Sequence, residues 1–374
     1  LLNMPSQPSD HPTGVGRFGM ELSRQLMARQ RNSYSLRSQF RQSQLDPAFT
    51  AMRTITAIKP VSKHAFEMIG SSLMAPFDRS VRTMDLVVNL DPLGLFLGAA
   101  TRITIVHDLY FAAMPGLYSR FAVAKAWLLH HMVLGRSKVI VAISQSTARD
   151  IKRHFPHLAG RVRVILSDST MRAVADSTWL TRLKALRFVL TVANATPNKN
   201  LETLAKAFCI AAATDPALML VHAGRDGDDR MRRALAEHGY ADRLIRYTGI
   251  TDEELAALYQ SALCLVVPSL YEGFCLPVIE AQRYGCPVLF ADAPGTAEIG
   301  GDGGLRFDPR DIQGLAQLLQ QVLHAPLLRA ELRARGYRNA QRFSWERAAA
   351  AYEQLFEDVA LGIPMMSPVD PPAL

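Results

Sequence analysis

The chain has 374 residues, a length that suits two or three domains, and at 49% hydrophobic residues it has the material for a sizeable core. No apolar run approaches the ~20 residues that a bilayer-spanning helix needs, and the longest greasy patch, Leu93 to Ala100, falls far short. Formal charge is +8 but uneven: residues 1–170 carry 21 Lys and Arg against 10 Asp and Glu, whereas the remainder carries 21 against 24.

A basic first part and a near-neutral second part call for different partners. An anionic membrane surface or a phosphate-bearing acceptor suits the first. Nucleic acid is set aside, because the chain has no aromatic-interleaved basic motif, zinc motif or recognition helix. The four cysteines (Cys209, Cys264, Cys275, Cys286) have neither paired nor metal-ligand spacing, which fits a reducing, cytoplasmic setting.

Leu1-Leu2-Asn3 reads as the tail of a strand, clipped at its start since no Met precedes it. A polar, Pro-rich loop runs to Thr13. Gly14-Val15-Gly16-Arg17-Phe18-Gly19 then leads into a helix beginning Met20-Glu21-Leu22. By letter this is G-x-G-x-x-G, the dinucleotide-binding fingerprint. The glycines lie about ten residues past the strand instead of directly after it, and no acidic residue follows some 20 positions on to hold a ribose, so a dehydrogenase is disfavoured. The glycine pair is better read as a turn before a helix that lets backbone N–H groups approach a phosphate.

Residues 30–82 are poorly informative; Thr54 to Ile58 reads as a strand and Lys63 to Leu73 as a helix. Asp85 to Asn89 is a clearer strand. Arg102 to Val106 is another, ending in His107-Asp108-Leu109, which places an imidazole at the strand end where α/β ligands bind. Tyr118 to Leu134 is helical, with Phe121, Trp127, Leu128 and Met132 beside Arg120, Lys125 and His131; such a stripe suits core packing and also a membrane surface. Val139 to Ile143 is a strand, Ser144 caps a helix to Phe155, and Val162 to Ile165 closes the first block.

The second block opens with the strand Phe188 to Ala193, then Pro197-Asn198-Lys199-Asn200 and a helix to Ala212. Ala217 to Ala223 is a strand, followed by Arg225-Asp226-Gly227-Asp228-Asp229. The D-x-D spacing there raises metal-dependent sugar transfer, but acidic loops after strands are common and no single-domain metal-binding architecture accompanies it. Leu244 to Ile250 is a strand and turn, with Thr251 or Asp252 capping the next helix. Cys264 to Pro268 is a buried strand, and Tyr271-Glu272-Gly273-Phe274-Cys275-Leu276-Pro277-Val278-Ile279-Glu280 follows. Pro277 opens a helix, where its missing N–H is not needed. A strand end, a short loop and a helix N-terminus offer backbone donors and a positive dipole end to an anion, bracketed by two carboxylates. Cys286 to Ala291 is a further strand, then an extended Gly304 to Pro309, helices over Asp311 to Leu323 and Leu327 to Arg342, and a last helix capped by Ser344.

Two glutamates eight apart around a Gly-Phe loop resemble the signature of retaining glycosyltransferases, family four. The Gly14–Phe18 run, the His107 strand ending and the Pro-x-Lys-Asn element resemble that family's other motifs. The resemblance implies that Glu272 contacts the transferred sugar and Glu280 the ribose hydroxyls. Backbone groups of Phe274, Cys275 and Leu276, with Gly14, Gly16 and Lys199, would hold the diphosphate. His107 would meet a sugar hydroxyl, and Gly249 and Ile250 the base. The family usually has Gly where this chain has Cys275, a mild departure because backbone meets phosphate there. An Asn-Gly linker is replaced by Leu166 to Thr170, and an Arg often found before the Lys199 segment is absent, with Arg225 or Arg17 as substitutes.

Repeated βα units in two blocks argue an α/β chain with two doubly wound parallel sheets. The resemblance makes this the GT-B type, two Rossmann-like domains facing a cleft. The expected division is 1–170 for the acceptor side, 171–345 for the nucleotide sugar, and 346–374 for a helix returning to the first domain plus a loose tail. The expected activity is a retaining hexosyl transfer, mannosyl included, from a UDP- or GDP-sugar to a lipid-linked or polysaccharide-precursor acceptor. It would need no metal or other cofactor and would work at the inner face of the membrane. Same-fold epimerases or phosphorylases, and a non-catalytic sugar- or lipid-binding protein, are the alternatives.

Overall fold

A computed structural model describes residues 1–4, 14–38, 53–56, 72–98, 100–227 and 229–364. The chain forms two compact units, one made of Leu1–Thr170 with Ser344–Leu374 and the other of Met171–Phe343.

The first unit is built on a parallel sheet of β1 (Leu2–Met4), β2 (Ser35–Ser38), β3 (Arg53–Thr56), β4 (Leu86–Asn89), β5 (Thr101–Val106), β6 (Val139–Ala142) and β7 (Val162–Val164), in the order β3-β2-β1-β4-β5-β6-β7. β4, β5 and β6 are short Val/Ile-rich runs buried almost throughout, as strands covered on both faces must be. The chain direction of the winding reverses between β1 and β4. A buried polar ladder crosses that point. Arg37 donates to Asn3 (3.2 Å), Asn3 to Asn89 (3.0 Å) and Asn89 to Thr104 (3.1 Å). Asn89 also exchanges two bonds with the backbone of Leu95, both 2.9 Å, which folds the following loop onto the strand.

The helix Trp345–Ala360 belongs to this unit. Its Glu353, wholly buried, accepts from Arg29 Nε at 2.5 Å and from Tyr34 at 3.3 Å. Trp345 Nε1 donates to Ser169 O at 3.1 Å, and its ring lies 5.4 Å from Phe18. A buried carboxylate with two donors is the condition under which burial of its charge is tolerated.

The second unit holds β8 (Arg187–Val192), β9 (Leu218–Ala223), β10 (Leu244–Tyr247), β11 (Cys264–Val267), β12 (Val288–Ala291) and β13 (Leu305–Phe307), ordered β10-β9-β8-β11-β12-β13 and parallel throughout. This is the doubly wound dinucleotide-fold order, and its switch lies between β8 and β11. One large apolar cluster, including Leu204, Phe208, Leu220, Met231, Leu289, Leu315 and Leu319, fills the helix–sheet space on one face.

Several expectations change. The glycines at 14 and 16 do not form a turn ahead of a helix: the helix already starts at Gly14 and runs to Arg29, so both sit in its first turn. The first turn of a helix makes few internal bonds, so glycine is tolerated there without breaking it. Ser35–Ser38 forms a strand in a stretch that read as uninformative. A helix at Ser177–Leu183, capped by Asp176 accepting from Trp179 N at 2.7 Å, had no counterpart in the reading. The helix expected over Lys63 to Leu73 lies almost entirely outside the described residues, as do Ala57 and Ile58 of the expected strand.

Candidate active site

The loops after β8 and β11 flank the switch of the second sheet, and they are stitched together by backbone-directed amides. Leu270 N donates to Asn198 O (2.8 Å), Asn198 Nδ2 to Tyr271 O (3.3 Å), and Asn200 Nδ2 to Pro268 O (3.1 Å) and Pro309 O (2.8 Å). Asn200 takes a left-handed conformation, φ 53°, which Asn adopts more readily than most residues. It ends the short turn Pro197–Lys199 and starts the helix Leu201–Ala212. The loop after β8 is also laced to the end of β9: Ala195 N donates to Arg225 O (2.7 Å), Arg225 N to Asn194 Oδ1 (3.0 Å), and His222 Nε2 to Ala193 O (2.7 Å). Gly224 is required there, since a Cβ would stand 1.9 Å from Ala193 O.

On this frame Lys199 Nζ meets Glu272 Oε1 at 2.6 Å, and Ser269 Oγ donates to the same oxygen at 2.7 Å. The lysine and glutamate side chains keep 25% and 13% of their exposure, so the pair is reachable by a ligand. Glu272 N donates to Pro294 O (3.2 Å), and Gly295, φ 80°, leaves room for the Glu272 carbonyl that any Cβ would meet at 2.1 Å.

Cys275 precedes the helix Leu276–Arg283 with φ 79° and ψ 67°, a left-handed conformation that normally belongs to glycine. A glycine would take this backbone without strain, whereas Cys275 adopts it at some cost. Its thiol is buried, and burial pushes it well above the ordinary thiol range. Phe274 is buried edge-on against Phe343 at 5.7 Å. Leu276 opens the helix, with Pro277 in its first turn. One turn in, Glu280 is 8% exposed and accepts from Tyr259 Oη at 3.0 Å. Tyr259 is wholly buried, which pushes its hydroxyl far above the usual range and keeps it a donor. Its ring stacks on Tyr284 at 6.1 Å. Gly249 (φ 67°) and Ile250 form the turn after β10, at the same carboxyl edge of the sheet but three strands away from β11.

His107, Gly14 and Gly16 lie in the first unit. The Nε2–H of His107 donates to Leu90 O at 2.8 Å. Phe18, one turn along the helix that starts at Gly14, packs edge-on against the imidazole at 4.8 Å. The structure thus brings Lys199 and Glu272 into contact and sets Phe274 to Glu280 beside them in one loop–helix unit. His107 shares its surroundings with the helix of Gly14 and Gly16.

Three residues escaped the sequence reading. Ser269 shares the Glu272 oxygen, Tyr259 positions Glu280, and Asn198 joins the two loops. Ser269 follows β11 by two residues, so the rule that ligands gather at strand carboxyl ends could have marked it. Tyr259 carried no local signal, because its partner is 21 residues away.

The acidic loop after β9 is otherwise engaged. Asp226 accepts from Arg230 N and Met231 N, each at 3.3 Å, and Asp229 pairs with Arg246 at 3.0 Å, whereas Asp228 lies outside the described residues. Among the described residues no three His, Cys, Asp or Glu gather as metal ligands, and no helix is long and apolar enough to cross a membrane.

Residues 181–342 match the family model described as glycosyl transferases group 1. The O-antigen chain mannosyltransferase B of Escherichia coli is 30% identical over 254 residues, 65% of this chain and 67% of that protein. The serotype-specific mannosyltransferase WbdA of E. coli is 28% identical over 227 residues, 57% of this chain but only 28% of that longer protein. The sucrose-phosphate synthase of Thermosynechococcus elongatus superposes with a TM-score of 0.76 at 20% identity, covering 96% of this chain and 99% of its own. With two doubly wound parallel sheets of the GT-B type, the chain belongs to the group 1 glycosyl transferases of family-four kind and is a glycosyltransferase.

Proposed function

We propose that the protein transfers a hexose, with retention of anomeric configuration, from a nucleotide-diphosphate sugar to a lipid-linked or polysaccharide-precursor acceptor. The observation that carries this reading is the Lys199–Glu272 pair at 2.6 Å, set at the switch of the second sheet beside the N-terminus of the Leu276–Arg283 helix. A cation and a carboxylate in contact suit two adjacent parts of one donor. Lys199 and the helix start balance the charge that collects on the leaving diphosphate. Glu272 accepts from hydroxyls of the sugar next to it, and Ser269 fixes the carboxylate.

In this reading Glu280, oriented by Tyr259, accepts from the ribose hydroxyls, and the backbone of Phe274, Cys275 and Leu276 lines the diphosphate. Gly249 and Ile250 border the base. The bond from C1 to the phosphate oxygen breaks as the acceptor oxygen bonds to C1 from the same face. The acceptor's proton passes to the departing phosphate, so no protein base is needed and no metal or other cofactor is invoked. A UDP- or GDP-linked donor fits these contacts. Mannose is favoured because the relative matched over most of its length is a mannosyltransferase. The place of action is the cytoplasmic face of the membrane.

A thermal-shift panel of UDP- and GDP-sugars tests the donor, because a ligand bound only by the native state raises apparent stability. One donor should stand out, and proton NMR of the product should show the anomer of the donor retained. An inverted product, or no nucleotide sugar that stabilises the protein, would overturn the reading.

A further inference from the structure

The loops after β4 and β5 lie side by side at the carboxyl edge of the first sheet, the edge where α/β folds bind ligands. They are joined directly, since His107 Nε2 donates to Leu90 O at 2.8 Å. Beyond that joint the β5 loop becomes the short helix Tyr110–Ala113 and the turn Pro115–Leu117. Phe111 pins this segment: it is buried, with its ring 5.4 Å from Trp127 and 4.5 Å from His130. Tyr110 beside it stays outside, 41% exposed, and its ring meets that of Tyr118 at 4.7 Å. Two tyrosines on a fixed backbone thus present one aromatic surface.

The charge beside that surface is the reverse of what the unit carries elsewhere. In a basic first part, the only carboxylates between Asn89 and Arg149 are Asp91 and Asp108, and both act on Tyr110. Asp108 Oδ1 accepts from Tyr110 N at 3.3 Å, and Asp91 is fixed in the β4 loop by accepting from Leu93 N at 2.7 Å. Burial, and then Asp108 and Asp91, push the Tyr110 hydroxyl above its usual range, so it stays a donor.

Two carboxylates repel a phosphate. An apolar peptide laid on the rings would desolvate the carboxylates and give them no donors. An uncharged pyranose suits both features: its C–H face packs on an aromatic ring, and its hydroxyls donate to carboxylates in charge-assisted bonds. We infer that the Tyr110–Tyr118 ring pair, bordered by Asp91 and Asp108, is a subsite for a neutral sugar of the acceptor. The inference deepens the transfer proposed above and rests on that reading for the sugar's role: the acceptor's phosphate, where it has one, lies outside this subsite.

Saturation-transfer NMR on the full chain without donor tests it, using the methyl α-glycosides of mannose, glucose, galactose and N-acetylglucosamine, with mannose 6-phosphate as the charged comparison. At least one neutral glycoside should bind saturably, and raised salt should leave that binding in place. Tyr110→Ala should weaken it at least ~tenfold, whereas Tyr110→Phe, which keeps the ring, should stay within about threefold. Asp91→Asn should weaken it by about three- to tenfold, as should Asp108→Asn, which keeps the oxygen that accepts from Tyr110 N.

Each variant is also scored for its thermal shift with nucleotide sugar. An unaltered shift shows that it is folded with its donor site intact, so lost glycoside binding reports on the rings and carboxylates themselves. A wild-type protein that binds none of the neutral glycosides would overturn the inference. So would mannose 6-phosphate bound more tightly than the mannoside and released by salt. Glycoside binding lost in Glu272→Gln but untouched by Tyr110→Ala would put the sugar in the second unit and overturn it too. Glycoside binding that follows Tyr110 without any nucleotide-sugar shift would uphold the subsite and remove the transfer reading instead.

Discussion

At the switch of the first sheet, between β1 and β4, the amide side chains are spent on their neighbours. Arg37, Asn3, Asn89 and Thr104 form a buried ladder in which the amides bond to neighbouring side chains or to the Leu95 backbone. At the switch of the second sheet, between β8 and β11, the polar groups are a lysine and a glutamate that keep part of their exposure and hold each other through one oxygen. The strand order is the same in both, β3-β2-β1-β4-β5-β6 against β10-β9-β8-β11-β12-β13. Topology therefore makes the position, and the residues placed there decide its use. A buried amide ladder is a structural joint. A part-exposed ion pair is exchangeable: in the function proposed above, a diphosphate would displace the carboxylate from the ammonium and sugar hydroxyls would take the ammonium's place on the carboxylate.

The largest test of that contrast is Lys199→Ala. It should lower kcat by ~10²–10³, the usual effect of losing one donor to a developing anion, while a part-exposed pair contributes only about 1 kcal/mol to stability. Steady-state kinetics and urea unfolding on the same preparation check both halves; turnover close to wild type would remove Lys199 from the site.

Asn89→Ala should show the opposite profile. Asn89 makes four hydrogen bonds to Asn3, Thr104 and the Leu95 backbone, and its loss leaves buried partners unsatisfied. A destabilisation of about 2–3 kcal/mol is expected in chemical denaturation, with the nucleotide-sugar thermal shift unaltered in size. A variant as stable as wild type would mean the ladder is not a joint.

These two sites also differ in how they could be read from sequence. The second unit was legible because its chemistry is local: Pro197 to Asn200 and Tyr271 to Glu280 are short runs placed directly after apolar strands, and Lys199 and Glu272 meet. The ladder of the first unit was not, because its members come from four strands and no single segment looks unusual. β2, Ser35–Ser38, was missed for a related reason, since Ser-Leu-Arg-Ser has no apolar run and gains its strand from pairing with β1 and β3. Glycine is both a turn former and tolerated in a first helical turn, so the letters of the Gly14–Gly19 run do not show that the helix already starts at Gly14. At Cys275 the residue was noticed as an oddity, but its left-handed backbone could not be foreseen from the letter.

A second ion pair separates charge used for structure from charge proposed for binding. Arg187 Nε meets Asp215 at 2.6 Å, and Arg187 also donates to Leu323 O at 2.8 Å. Arg187 starts β8 and Asp215 precedes β9, so the pair lies at the amino edge of the sheet, opposite the switch. Hydrogen bonding from Arg187 holds the Asp215 carboxyl below its usual range. A depressed carboxylate stabilises the fold fully above its unfolded pKa, about 3.9, and loses that contribution as pH falls through the lower folded value. Asp215→Asn should therefore be less stable than wild type by at most about 1 kcal/mol at neutral pH, with the gap closing below about pH 4. Activity per folded molecule should not change. A gap that widens in acid would contradict the assignment.

The smallest effect concerns Cys275, where the two units of reasoning, backbone and side chain, pull in opposite directions. At φ 79° a residue with a Cβ carries a cost of about 1–2 kcal/mol that glycine escapes. Glycine in turn makes the unfolded chain looser, by about 0.5–1 kcal/mol relative to alanine. Cysteine adds a buried thiol worth about 1 kcal/mol that either replacement gives up. Cys275→Gly should accordingly stay within about 1 kcal/mol of wild type. Cys275→Ala keeps the strain and loses the thiol, so it should be less stable than Cys275→Gly by about 0.5–1 kcal/mol, the reverse of the order found inside helices. Urea midpoints of the two variants decide it: Ala at or above Gly would mean that the left-handed turn is not held in solution, and the backbone path between Glu272 and Glu280 would have to be redrawn.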